Sequence, residues 1–232
     1  GFIGISPKIL TPKVYKRNII TLSRPDYEQL LRYLWLNIDY GRTGVLIALM
    51  TGMRIGEVCA LKKDAFDFDN CTVAVKNTLQ RITQERGGEH TTKLILSSPK
   101  SDSSARIIPL SKAFSEWLGK LYSELSDEDY VITGTDRCIE PRTYYRKYMK
   151  YLHECALDGH GYTFHALRHT FATEAIRNGM NAKSLSEILG HSSVKITLER
   201  YVHPSFEQKK QEMEKLMMCH PLQSCFQSAG AK

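Results

Sequence analysis

The chain has 232 residues, with 32 Lys+Arg against 25 Asp+Glu and a formal net charge of +7. Folding at this length hides roughly 70% of an extended chain's surface, enough for one core without disulfide or metal staples. With 42% hydrophobic residues and no apolar run near the ~20 residues of a membrane span, the composition excludes both a transmembrane helix and a disordered chain.

Six cysteines (Cys59, Cys71, Cys138, Cys155, Cys219 and Cys225) lie without a CxxC pair or the density of a small secreted scaffold, a pattern that fits reduced thiols in a cytoplasm. The start, Gly1-Phe2-Ile3-Gly4, has no initiator Met and lacks the basic, apolar and small-residue order of a signal peptide. The sequence is therefore expected to be part of a longer chain. The placement of charge says more than its sum. From Gly1 to Arg24 the basic residues Lys8, Lys13, Lys16, Arg17 and Arg24 stand without an acid. A second acid-free stretch, Pro141 to His153, interleaves Arg142, Arg146, Lys147 and Lys150 with Tyr144, Tyr145, Tyr148 and Tyr151. Two readings stand level there: cations that neutralise phosphates while tyrosine hydroxyls donate to them, or a solvated face with tyrosines packed beneath it.

In chain order, residues 1–21 carry Pro7, Pro12 and sparse periodicity and read as an extended linker. Ser23 caps a helix with Asp26 at its third position and an apolar stripe of Leu30, Leu31, Leu34 and Trp35. A second helix covers about 43–51, ended by Gly52, and Arg54-Ile55-Gly56-Glu57-Val58 opens a short third one. From Cys71 to Ile82 the pattern turns to β-branched residues, and Gly87-Gly88 marks a turn. Leu94-Ile95-Leu96 and Arg106-Ile107-Ile108 complete a small three-stranded antiparallel sheet, with Lys100 near one turn. After Pro109 helices are expected at about 111–125, 143–156, 165–178, 181–189, 194–201 and 205–218. The class is α+β, mainly helical with one minor sheet.

Two segments crowd functional side chains at helix starts and turns. One is Thr51-Gly52-Met53-Arg54-Ile55-Gly56-Glu57; the other runs from His165 to Thr173 and is followed by Leu189-Gly190-His191 and then Tyr201. On a helix, His165, Arg168 and His169 share a face, so His165 and Arg168 can converge on one ligand. An arginine inside FHALRHTFATEAI needs an anionic partner. The pair His165 and His169 has half the spacing of a zinc site, but Arg168 between them would repel a metal. His169 and His203 read as buried, hydrogen-bonded histidines rather than reactants, with a phosphate contact open to His203, and without its neighbours Tyr201 would read as a helix-surface residue.

TGMRIGEVCAL around Arg54, FHALRHTFAT around Arg168, LGHSS around His191 and Tyr201 ten residues after that histidine resemble the tyrosine recombinases, or phage-type integrases, most of all those of conjugative transposons. The resemblance spans most of residues 21–203. It implies a catalytic domain over 22–204 with the catalytic set Arg54, Lys100, His165, Arg168, His191 and the nucleophile Tyr201. Lys93 is a nearby rival to Lys100, and the roles of His165 and His191 stay undivided. Glu57 corresponds to a family acid that orients active-site cations. The chemistry implied is cleavage and rejoining of DNA strands through a 3′-phosphotyrosine and a four-way junction, without metal or nucleotide cofactor. The partners implied are double-stranded DNA, contacted by Lys8, Lys13, Lys16, Arg17, Arg142, Arg146, Lys147 and Lys150, and further copies of the chain in a tetramer on DNA. An accessory excision factor is allowed for, and no membrane is involved. Residues 205–219 form a terminal helix that packs on its own core or docks on a neighbouring protomer, with exchange favoured, and 220–232 form a tail. The rival readings are a type IB topoisomerase-like strand transferase and a catalytically idle DNA-binding regulator.

Overall fold

The computed structural model describes residues 19–86, 89–97, 105–202 and 205–218. Three helices open the domain. Ser23 caps α1 (Arg24–Leu36) by accepting the Asp26 N–H, and Asp39 caps α2 (Tyr40–Thr51) by accepting that of Arg42. Buried on every side from Thr43 to Leu49, α2 is the central helix of the core. Gly52, in the left-handed region at φ 67°, ends it and turns the chain into α3 (Ile55–Cys59). The expected α1 stripe needs one correction. Leu30 and Leu34 are fully buried and Leu31 half-buried, whereas Trp35, one residue further round the helix, is exposed and rests on Trp117 with ring centroids 5.3 Å apart.

The strands divide into two sheets, where a single sheet was expected from the segments 71–82, 94–96 and 106–108. β1 (Phe66–Asp67), β2 (Thr72–Val75) and β5 (Arg106–Pro109) form the antiparallel sheet β1-β2-β5, with Val73 opposite Ile108. The chain leaves that sheet after Val75, so the β-branched run is split. Its second half, β3 (Thr78–Arg86), pairs with β4 (Glu89–Ser97) from Thr78↔Ser97 to Arg86↔Glu89. The Gly87-Gly88 turn of this hairpin lies outside the described residues.

Helices α4 (Lys112–Leu121), α5 (Pro141–Glu154), α6 (Phe164–Arg177), α7 (Ala182–Leu189), α8 (Val194–Tyr201) and α9 (Phe206–Met218) follow. The main core gathers α1 to α5, the β1-β2-β5 sheet and the start of α6 around Leu30, Ile47, Leu118, Tyr144 and Leu167. A second cluster, Ala172, Leu185, Leu189 and Tyr201, joins the far half of α6 to α7 and α8. On α9, Phe206, Met213, Leu216 and Met218 are exposed. Among the described residues no helix is long and apolar enough to cross a membrane.

Candidate active site

The site is built at three helix ends. The backbone N–H of Arg54, at the N-terminal edge of α3, donates to Glu57 Oε2 at 2.8 Å. The Arg54 guanidinium reaches Glu57 Oε1 at 2.8 Å and the Gly190 carbonyl at 3.4 Å. Gly190 ends α7 in the left-handed region, and the His191 N–H closes back on the Ser186 carbonyl. That closure sets where His191 leaves the helix. Its Nδ1 lies 2.8 Å from Thr197 Oγ1, so Nε2 is the ring nitrogen it can present outward.

Arg168 on α6 is 2% exposed, and within the chain it is held by backbone carbonyls. Nη1 donates to the Gly52 carbonyl and Nη2 to the Leu189 carbonyl, each at 2.8 Å. Both acceptors sit at helix C-termini, where the helix dipole concentrates negative charge, so backbone offsets part of the buried charge. Two of the five guanidinium N–H groups are spent this way. The side chain also lines a pocket of about 340 Å³ together with Arg54, His165, Gly190, His191, Ser192, Ile196 and Arg200.

Sequence reasoning placed Arg54, Glu57, His165, Arg168, His191 and Tyr201, and the structure gathers all six in one region. It missed Arg106 and Arg200. Arg106 opens β5, donates Nε to the Ile188 carbonyl at 2.5 Å and holds Glu57 through Nη1 and Nη2. Its one signal is a lone arginine entering the apolar strand RIIP. Arg200 precedes Tyr201 and is exposed at the pocket. Lys100 lies outside the described residues, as do Lys8, Lys13, Lys16, Arg17 and His203. The rival Lys93 is exposed on β4.

Charge in this region is tuned by burial and by the neighbouring arginines. Burial raises the Glu57 carboxyl, but Arg106 and then Arg54 more than offset it and hold it below the usual range. Burial, then the Arg54 charge, brings Arg168 down to about 9, still a cation at neutral pH. Burial, then the nearby arginines, lowers His165 and takes His191 to about 4. Burial raises the Tyr201 phenol, with Arg168 and Arg200 opposing. Tyr201 is only 8% exposed, and its hydroxyl meets His169 Nδ1 at 2.7 Å. His169 is thus hydrogen-bonded as expected but half-buried rather than buried, with a partner the sequence did not reveal.

On α5 the even choice between two readings is resolved for the tyrosines. Arg142, Arg146, Lys147 and Lys150 are exposed, whereas Tyr144, Tyr148 and Tyr151 are buried beneath them and Tyr145 is half-buried. Tyr144 donates inward to the Gly41 carbonyl at 2.7 Å. The tyrosines pack and the cations face solvent.

A mainly helical domain with a small antiparallel sheet, its arginines and histidines drawn to one pocket between α3, α6 and α7, has the fold of tyrosine-recombinase catalytic domains. The model of the phage integrase family matches residues 21–208, and the chain belongs to that family. It is 30% identical over 214 residues to the transposase from transposon Tn916 of Enterococcus faecalis, covering 84% of this chain and 50% of that protein. It is 29% identical over 187 residues to a tyrosine recombinase XerC-like protein of Caldanaerobacter subterraneus subsp. tengcongensis, covering 74% and 47%. The chain therefore spans about half the length of these relatives. Among solved structures it is similar to the Tn1549 transposon integrase in complex with a circular intermediate DNA, with a TM-score of 0.68 and 25% identity over 87% of this chain and 67% of the other. The XerA recombinase, at 23% identity and a TM-score of 0.59, shares the fold.

Proposed function

We propose that the chain is the catalytic portion of a site-specific DNA recombinase of a mobile element, cutting and rejoining strands through a 3′-phosphotyrosine on Tyr201. The observation that carries this reading is the convergence of Arg54, His165, Arg168 and His191 on one pocket, in a domain that also brings Tyr201 against α6. The likeness to the Tn1549 integrase, solved with DNA, supports double-stranded DNA as the substrate.

The phenolic oxygen of Tyr201 attacks phosphorus, the bond to the 5′-oxygen breaks, and the phosphotyrosine conserves the bond energy for rejoining. Charge grows on the non-bridging oxygens as the phosphorane forms. Arg54 and Arg168 bind those oxygens with guanidinium forks that stay charged, His165 accepts the phenolic proton or bonds the phosphate, and His191 donates to a non-bridging oxygen. Lys100 is assigned the proton delivered to the leaving 5′-oxygen. Glu57 orients Arg54 from behind. Arg142, Arg146, Lys147 and Lys150 on the solvent face of α5, with Lys8, Lys13, Lys16 and Arg17 in the leading segment, contact DNA phosphates.

Residues 1–21 are a linker from upstream DNA-binding domains, and the exposed apolar residues of α9 dock on a neighbouring protomer in a tetramer on DNA. An accessory excision factor belongs to the same scheme. The test uses nicked suicide duplexes tiled across the DNA that flanks the gene. The wild-type protein is expected to form a covalent adduct on a denaturing gel with one of them, and Tyr201→Phe none. An adduct that persists in Tyr201→Phe overturns the assignment, and relaxation of supercoils by a monomer without junction products selects the topoisomerase-like reading.

A further inference from the structure

We propose that His169 is the positioning residue of the nucleophile: its Nδ1 accepts the hydrogen of the Tyr201 hydroxyl and fixes where the phenolic oxygen stands relative to the phosphate pocket. This rests on the reading of Tyr201 as the nucleophile. The distance of 2.7 Å between Nδ1 and the phenolic oxygen is that of a full hydrogen bond. The two rings lie with centroids 5.8 Å apart at 52°.

The direction of the bond goes with the tautomer of the imidazole. Burial, the neighbouring His165 and then Arg200 and Arg168 bring His169 down to about 4, so at neutral pH the imidazole is uncharged. Burial raises the Tyr201 phenol, so it keeps its hydrogen. In the Nε2–H tautomer, the one proposed, Nδ1 carries no hydrogen and accepts the one on the phenol. An imidazole this weakly basic does not remove the proton of a phenol held above its usual range; the bond aims the hydroxyl and holds it.

The placement links the nucleophile to the pocket. His169 stands one turn after His165 on α6, and the two rings meet edge to face at 4.4 Å. His165 lines the pocket with Arg168. One rigid helix therefore carries a pocket cation, a pocket imidazole and the acceptor that fixes Tyr201. The phenolic oxygen also takes a side-chain hydrogen bond from Arg200, which is exposed, and the ring is gripped by Ala172, Leu185 and Leu189, but packing restrains a ring more than it aims an oxygen. Attack in line with the leaving group needs that aim, and an error of about 1 Å costs on the order of 10²-fold in rate.

The test compares His169→Asn, whose amide oxygen can stand where Nδ1 stood, with His169→Leu, which fills the space without an acceptor. In protein carrying 13Cζ-tyrosine and no DNA, the resonance missing from Tyr201→Phe identifies Tyr201. It is expected to shift in His169→Leu and to stay near its wild-type position in His169→Asn. On the suicide duplex that the wild-type protein cleaves, adduct formation at saturating DNA is expected to fall about 100-fold in His169→Leu, to recover to within about 10-fold in His169→Asn, and to leave the DNA dissociation constant within about 2-fold for both. An unmoved Tyr201 resonance in His169→Leu, a wild-type rate in that variant, or equal loss in Leu and Asn variants with normal thermal midpoints overturns the proposal. Failure of the wild-type protein to form an adduct with any duplex instead counts against the reading of function, and the resonance then decides the His169–Tyr201 bond by itself.

Discussion

Arg106 and Glu57 form a two-pronged ion pair, Nη1 on Oε1 at 3.0 Å and Nη2 on Oε2 at 2.9 Å, with side chains only 6% and 5% exposed. The same two carboxylate oxygens accept from the Arg54 guanidinium and the Arg54 backbone N–H. One buried carboxylate thus ties the start of β5 to the start of α3. Removing Arg106 leaves the buried carboxylate to Arg54 alone, and breaking a buried pair in this way costs about 3–5 kcal/mol. Arg106→Met is expected to lower the urea midpoint by that order, and a fall equivalent to under about 1 kcal/mol contradicts this account of the network.

Arg168→Lys keeps the charge but not the fork. An ammonium cannot bridge the Gly52 and Leu189 carbonyls and still offer paired donors to a phosphate. Losing one preorganised donor costs on the order of 10²–10³ in rate, so single-turnover adduct formation should fall at least about 100-fold. Cleavage near the wild-type rate would rule out the clamp.

Gly52 controls the approach to Arg54. Its φ of 67° disfavours any residue with a Cβ, and a Cβ there would stand 2.6 Å from both Leu189 Cδ2 and Phe171 Cδ1. Strain and overpacking each cost about 1–3 kcal/mol, so Gly52→Ala is expected to lower stability by about 2–4 kcal/mol in urea melts. A neutral result would mean that the α2 end, α6 and α7 give way more readily than their packing indicates.

Acid should loosen the site before it unfolds the rest. His169 and His191 are each held at about 4, below the ordinary histidine value of about 6.5. Between those limits the unfolded chain binds more protons than the folded one, so stability falls as pH is lowered from about 6.5 to about 4. Urea midpoints across that range should show the decline, and His191→Gln should make it shallower. An unchanged slope in that variant would contradict the tuning described for His191.

Much of this was legible in the sequence because it is written locally. Ser23 and Gly52 bound their helices as their types require, and the motifs around Arg54, Arg168 and His191 fall at helix ends, where helix punctuation is strongest. What was not legible depends on partners far away in the chain. Arg106 meets Glu57 across 49 residues, and nothing in RIIP announces a buried ion pair. The split of the β-branched run after Val75 is set by which strand pairs with which, not by propensity. Arg168 was expected to need an anionic partner, and nothing in its sequence showed that the carbonyls of two helix ends would also hold it. The motifs pointed to Tyr201, but not to its burial, which comes from α6 and α7.

The most direct measurement of the central claim is the site of covalent attachment. After reaction with the suicide duplex, nuclease and trypsin digestion should leave a nucleotide on the peptide that begins at Tyr201, and tandem mass spectrometry should locate the added phosphate ester on its phenol. Attachment to any other residue, or a noncovalent complex alone under conditions where the duplex is cleaved, would contradict a phosphotyrosine mechanism at this site.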